Sequence, residues 1–219
     1  MGKIIFIGGG VRRTYVGTPT YQSANNTNYT FSGASIGTAQ AGRLVVVVVK
    51  GRASTGRTVS GVTIDGNAMT KDIATGSSGA PLGIFSRVVA AGTTADIVVS
   101  FSGGAEGCEI DVYAITGLLS ATPTDTFADD DTATTVAGTI DVALGGCLIM
   151  GATESTTSGS SSLAFVGATQ DHAAANETSR MGCASAQGLA AETNRTISCQ
   201  WVGGSPGLID FAIVAASYR

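Results

Sequence analysis

Ser35, His172 and a scatter of carboxylates are the residues from which hydrolytic chemistry could be assembled. Gly33-Ala34-Ser35-Ile36-Gly37 has the G-x-S-x-G form of a nucleophile elbow, and His172 follows several aspartates in the chain order of an α/β-hydrolase triad. That elbow needs a strand, a sharp turn and a helix. Here Thr38, Ala39 and Gln40 follow without a helical period, so Ser35 is expected in an alternating strand. His172 is the only histidine, which excludes metal sets built on two, and beside Asp171 it reads as a solvated loop side chain. Glu109 and Asp111 share one strand face, whereas a glycosidase pair must stand on either side of the scissile bond. Asp210 repeats Asp111 in the second half of the chain and suggests a structural polar contact used twice.

The remaining candidates are weaker. Asp125, Asp129, Asp130 and Asp131 lack the spacing of a calcium loop, which must converge six to eight oxygens, and read as linker acidity. Ile4 to Ile7 followed by Gly8-Gly9-Gly10 resembles a strand entering a phosphate loop, but Arg13 stands where a dinucleotide fingerprint wants glycine, so a hinge is the simpler reading. Cys108, Cys147, Cys183 and Cys199 lie in apolar runs as small buried hydrophobes. A hairpin over residues 180 to 201 would instead oppose Cys183 to Cys199 and allow a disulfide. The expectation is a non-enzymatic chain with no catalytic, cofactor-binding or metal-binding residues.

Composition narrows the function classes further. Only 13% of residues are charged, with 31 glycines, so the surface must be rich in Ser, Thr and Gly, as suits a subunit packed among others. A net charge of −4 without a basic cluster argues against nucleic acid. No apolar stretch approaches the roughly 18 to 20 residues of a membrane span, and the apolar run at the N-terminus is too short for a signal-peptide core. Synthesis in the cytoplasm follows.

Alternation and β-branched residues dominate the elements that must position these side chains. Strands are expected at 29–36, 44–50, 58–64, 68–71, 83–89, 96–102 and 109–116, then at 139–142, 147–152, 163–166, 180–186, 196–201 and 208–217, with a short helix over 170–179. Asp65-Gly66 marks a tight hairpin turn. Three blocks repeat in order: Leu44 maps to Leu148, Phe101 to Trp201 and Asp111 to Asp210, at offsets of 104, 100 and 99 residues. The fold class is therefore all-β, an antiparallel β-sandwich of two pseudo-repeated halves. An N-terminal arm covers 1–28, the first repeat 29–118, an acidic linker 119–136 and the second repeat 137–219, with 29–219 forming one sandwich domain. The run Leu44 to Val49 is apolar at every position and needs cover on both faces, from the arm or from another subunit.

The phrases Ala41-Gly42-Arg43-Leu44 with its valines, Ser60 to Ala68, Ala90 to Phe101 and Ile110 to Gly117 resemble virion structural proteins of tailed bacteriophages and phage-like gene transfer particles, of the tail-fibre-like, decoration or minor structural kind. The resemblance implies a jelly-roll-like form of that β-sandwich and a non-enzymatic virion subunit assembled in the host cytoplasm beside other virion proteins. No collagen-like or coiled-coil stalk is present, which favours a decoration, spike or tail-attached subunit over a full fibre. The alternative is a receptor- or carbohydrate-binding module using loops at 75–81 and 153–162 to read a host-surface glycan. Alternate valines of 44–49 left in water would drive association, so a homo-oligomer is expected, and the three-fold assemblies common among the proteins this chain resembles imply a trimer.

Overall fold

The computed structural model describes residues 10–75, 79–155, 162–176, 178–203 and 210–219. All elements among them are strands, and all pair antiparallel. In the first half these are β1 (Arg12–Gly17), β2 (Gln22–Ser35), β3 (Leu44–Arg52), β4 (Val59–Ile64), β5 (Asn67–Ala68), β6 (Thr70–Thr75), β7 (Leu82–Val88) and β8 (Thr94–Thr116). In the second they are β9 (Asp125–Asp131), β10 (Thr135–Val142), β11 (Cys147–Ser155), β12 (Ser162–Val166), β13 (Thr169–Asn176), β14 (Ser179–Gln187), β15 (Glu192–Val202) and β16 (Asp210–Tyr218).

The two halves share one topology. In the first, β1, the C-terminal part of β8, β3, β7 and β6 lie side by side, while β2, the N-terminal part of β8, β4 and β5 form the facing layer. In the second, β9-β16-β11-β14-β13 faces β10-β15-β12. This is the strand order of a jelly roll, repeated. Where the second half uses two strands, β15 and β16, the first uses the single 23-residue β8, which runs through both layers.

Each half encloses its own core. Val45, Val47 and Val49 of β3 meet Tyr29, Phe31, Val62, Ile97, Val99 and Phe101, and Leu148, Met150 and Ala152 of β11 meet Ile140, Leu163, Ile197 and Trp201. A third core joins the halves: Leu44, Val46, Val48, Leu82, Ile84 and Ile115 pack on Ile149, Ala212, Val214 and Ala216. All six residues of Leu44 to Val49 are at most 1% exposed within the single chain. The cover expected from the arm or from another subunit is supplied instead by the second sandwich, so no valine of this run is left in water to drive association. Val48 and Gly151 meet closely across the seam, for a Cβ on Gly151 would lie 2.4 Å from Val48 Cγ1.

Several expectations need correction. Residues 12–17 and 22–28 of the supposed arm are sheet strands paired with β8. Positions 125–131 of the acidic linker form β9, an edge strand against β16. The segment expected as a helix over 170–179 is β13 and the start of β14, its alanines alternating across an edge strand. The offset of 104 also places side chains on the wrong face, since Leu44 faces the seam between sandwiches and Leu148 its own core. An even error in register preserves the face, whereas an odd one inverts it. The ladders begin with Leu44 opposite Ile115 and Cys147 opposite Tyr218, which makes Cys147 the counterpart of Leu44. Phe101 and Trp201 both face their own cores as the offset of 100 requires. Asp65 and Gly66, at φ 47° and 74°, form the anticipated turn with two left-handed residues.

Candidate functional site at the seam

β3 continues its seam-facing series Leu44, Val46, Val48 to Lys50, which is fully buried. Directly opposite on β8 is Glu109, and Asp111 is the next residue on the same face. Both are at most 2% exposed. Lys50 Nζ donates to Glu109 Oε1 at 2.5 Å and to Asp111 Oδ2. Asp111 Oδ1 accepts from the Tyr15 hydroxyl at 3.1 Å and from the Thr18 hydroxyl, and Glu109 Oε2 accepts from Asn176 Nδ2 at 2.7 Å. Burial is the largest influence on Lys50 and would strip its proton, but the charges of Asp111 and Glu109 outweigh it and hold its pKa above the ordinary value. Burial likewise opposes the Asp111 charge, yet the Lys50 ammonium keeps that carboxyl below its usual range.

The second sandwich closes over this group with β13. His172 Nδ1 lies 3.5 Å from Asp111 Oδ1 and 3.6 Å from Glu109 Oε1, shut off from water and without a hydrogen bond. Its neighbour Asp171 accepts from Arg13 Nη1 at 3.3 Å, from the Tyr113 hydroxyl at 2.9 Å and from Ser185. At the opposite side of the seam the Tyr218 hydroxyl donates to Asp72 at 2.8 Å and the Thr75 hydroxyl to Asp130 at 3.2 Å. Charged and polar pairs thus rim an apolar seam centre.

The chemistry these residues can do is limited by how they are paired. Glu109, Asp111 and His172 bring donor atoms within 4.8 Å of one another, but the Lys50 ammonium already supplies the cation to both carboxylates. The arrangement fits a salt-bridged cluster, and the residues do not fit a resident metal. Two carboxylates sharing one ammonium also leave no gap for a glycosidic bond.

Sequence reading brought Glu109 and Asp111 together correctly but missed Lys50, which only the register of β3 against β8 reveals. His172 is no solvated loop residue; it sits in β13 with Nδ1 against the two carboxylates. Ser35 ends β2 opposite Thr94, in a strand context without an elbow. Asp210 accepts the Gly79 N–H at 2.8 Å and faces the seam, but by the ladders the counterpart of Asp111 is Val214, so the expected repeat of Asp111 in Asp210 fails. All four cysteines are free and buried; Cys183 on β14 and Cys199 on β15 belong to different sheets, which removes the disulfide. Burial pushes the Cys147 thiol up to about 12 and raises Cys108, Cys183 and Cys199 as well, so none is a thiolate nucleophile. Asp129, Asp130 and Asp131 alternate along β9 and do not converge. Residues 1–9 of the glycine-hinge reading, and positions 76–78 and 156–161 of the two glycan-loop candidates, lie outside the described residues. Trp201 is 5% exposed within its core and offers no stacking face.

No protein-family model matches the sequence, and no curated protein matches it. Among solved structures, the crystal structure of PBSX exported protein XepA aligns over 99% of this chain and 89% of its own, at 10% identity and a TM-score of 0.25. A chain described under "The Triple Jelly Roll Fold and Turret Assembly in an Archaeal Virus" aligns over 97% of this chain and 59% of its own, at 13% identity and a TM-score of 0.24. Likeness at that level carries no argument, and the jelly-roll assignment rests on the strand order.

Proposed function

We propose that this chain is a non-enzymatic structural subunit of a bacteriophage-type virion, a capsid decoration, spike or tail-attached protein acting through contacts with other virion proteins. The observation that carries the structural half of this reading is the seam. Every carboxylate of its ionic cluster is engaged by another side chain of the same molecule, Asn176 of the second sandwich among them, so the best-equipped chemistry in the fold is occupied in holding the fold together. A rigid tandem jelly roll with a sparsely charged surface suits a subunit set among others. The virion half is supported by the strand-and-turn phrases around Arg43, Asp65-Gly66 and Asp111.

Purification of particles from the source host followed by mass spectrometry tests this. The chain should co-sediment with particles and be enriched over free cytoplasmic protein; recovery in the soluble fraction alone would overturn it. A host-glycan array run on the same protein distinguishes a receptor-binding role, for which specific binding is required. Self-association, with a trimer as the closed form of this proposal, must use surfaces other than β3, and light scattering on the full chain reports it.

A further inference from the structure

A primary amine, a carboxyl group and a second carboxylate able to move protons meet in the dry end of the seam. Lys50 and Asp111 are fully buried and in contact, and Glu109 touches the same Nζ. Both acids are oriented, Glu109 by Asn176 and Asp111 by the hydroxyls of Tyr15 and Thr18 on its other oxygen. These are the parts of an amide-forming site: nucleophile, electrophile, proton carrier, and donors for a developing oxyanion.

We propose that Lys50 and Asp111 condense spontaneously into an intramolecular isopeptide bond linking β3 to β8, with Glu109 carrying protons and Tyr15 and Thr18 holding the oxyanion. Glu109 takes a proton from the Lys50 ammonium and relays it to Asp111 Oδ2, so that the freed lone pair of Nζ attacks Cγ of a neutral carboxyl. Negative charge gathers on Oδ1, facing the two hydroxyls. The Cγ–Oδ2 bond then breaks. Of the three ammonium protons, two leave with Oδ2 as water by way of Glu109 and one stays on the amide nitrogen, so Glu109 ends as it began. No oxidant, cofactor or second substrate enters. Holding the reactants in contact removes the entropic barrier to an otherwise bimolecular condensation. The product also replaces a buried ion pair with a neutral amide, relieving its desolvation cost.

The second sandwich supplies an internal control. Counting from the start of each ladder, Thr153, Ala212 and Val214 stand where the first has Lys50, Glu109 and Asp111, and cannot react. Intact mass spectrometry on the folded full chain should show the loss of one water. Tryptic digestion should yield one branched peptide joining Lys50 to Asp111, uncut after Lys50. Lys50→Arg and Asp111→Ala should keep the full mass, and Glu109→Gln should slow conversion by about a hundredfold. An unreduced mass in folded wild-type protein after prolonged incubation overturns the proposal. So does a water loss that persists in Lys50→Arg, which would point to succinimide formation at Asp65-Gly66.

Discussion

The two sandwiches share a strand order but differ in what they bury. The first holds Lys50, Glu109 and Asp111 at the seam and Arg43 at its edge, each satisfied by partners. Arg43 donates to the carbonyls of Gly37, Val89 and Ala91 at 2.7 to 2.8 Å, tying together the loops before β3 and after β7. At the matching positions the second has Gly146, Thr153, Ala212 and Val214. Its own buried ionisable residues are Glu154, inside its core with neither carboxylate oxygen hydrogen-bonded, and Arg180 opposite it on β14. Topology is set by the alternating apolar pattern the halves share, and polar contents vary freely once that pattern is met. One half places a hydrogen-bonded ionic cluster at the seam; the other buries an acid that has a cation across the ladder but no hydrogen bond.

Breaking the first half's cluster has the largest expected effect. Lys50→Met leaves two buried carboxylates without a cation and should cost about 3 to 5 kcal/mol in urea unfolding. Thr153→Val at the matching site should cost about 1 kcal/mol or less. Equal losses at both sites would remove the distinction. Arg43→Met, which strands three loop carbonyls, should cost about 3 kcal/mol by the same measurement.

The seam itself gives the next effect. Gly151→Ala puts a Cβ against Val48, itself fully buried, and should cost about 1 to 3 kcal/mol. Adding Val48→Ala opens room for that methyl, so the double variant should be less destabilised than the two single costs added together. Strict additivity would mean the sheets do not meet there. Gly61→Ala, in open space, serves as control and should change stability by about 0.5 kcal/mol or less.

These positions also show why the sequence was legible only in places. β3, β4, β7 and both portions of β8 were readable because apolar alternation is a local signal, and the Asp65-Gly66 turn for the same reason. β1, β9 and β13 are edge strands rich in Arg, Thr, Asp and Ala, with half-exposed faces and no apolar period. β13 even carries the alanines of a helix former. The duplication was visible, yet its register was not, because Leu44 and Leu148 match by type and face opposite ways. Lys50 looked like the polar end of an apolar strand. Its partners lie 59 and 61 residues away, and only the pairing of β3 with β8 brings them within reach.

Glu154 gives the effect with a definite pH signature. Burial pushes its carboxyl up to about 7 from an ordinary 4.5, against a weaker opposite pull from Arg180. The folded chain therefore keeps a proton that the unfolded chain releases between those values. The stabilising contribution of the protonated form is complete below about pH 4.5, declines as pH rises, and levels off above about pH 7. At about 1.4 kcal/mol per unit, the cost of the charged form at pH 8 is about 3 kcal/mol. Glu154→Gln keeps the shape and abolishes the titration, so it should match wild type at pH 4 and exceed it by about 3 kcal/mol at pH 8. No matching gain is available in the first sandwich, where the counterpart is Gly51 and an added Cβ would lie 2.7 Å from Pro81 and 2.8 Å from Phe101. Urea unfolding of wild type and Glu154→Gln at the two pH values decides the matter; a difference independent of pH would show that Glu154 does not titrate within the fold.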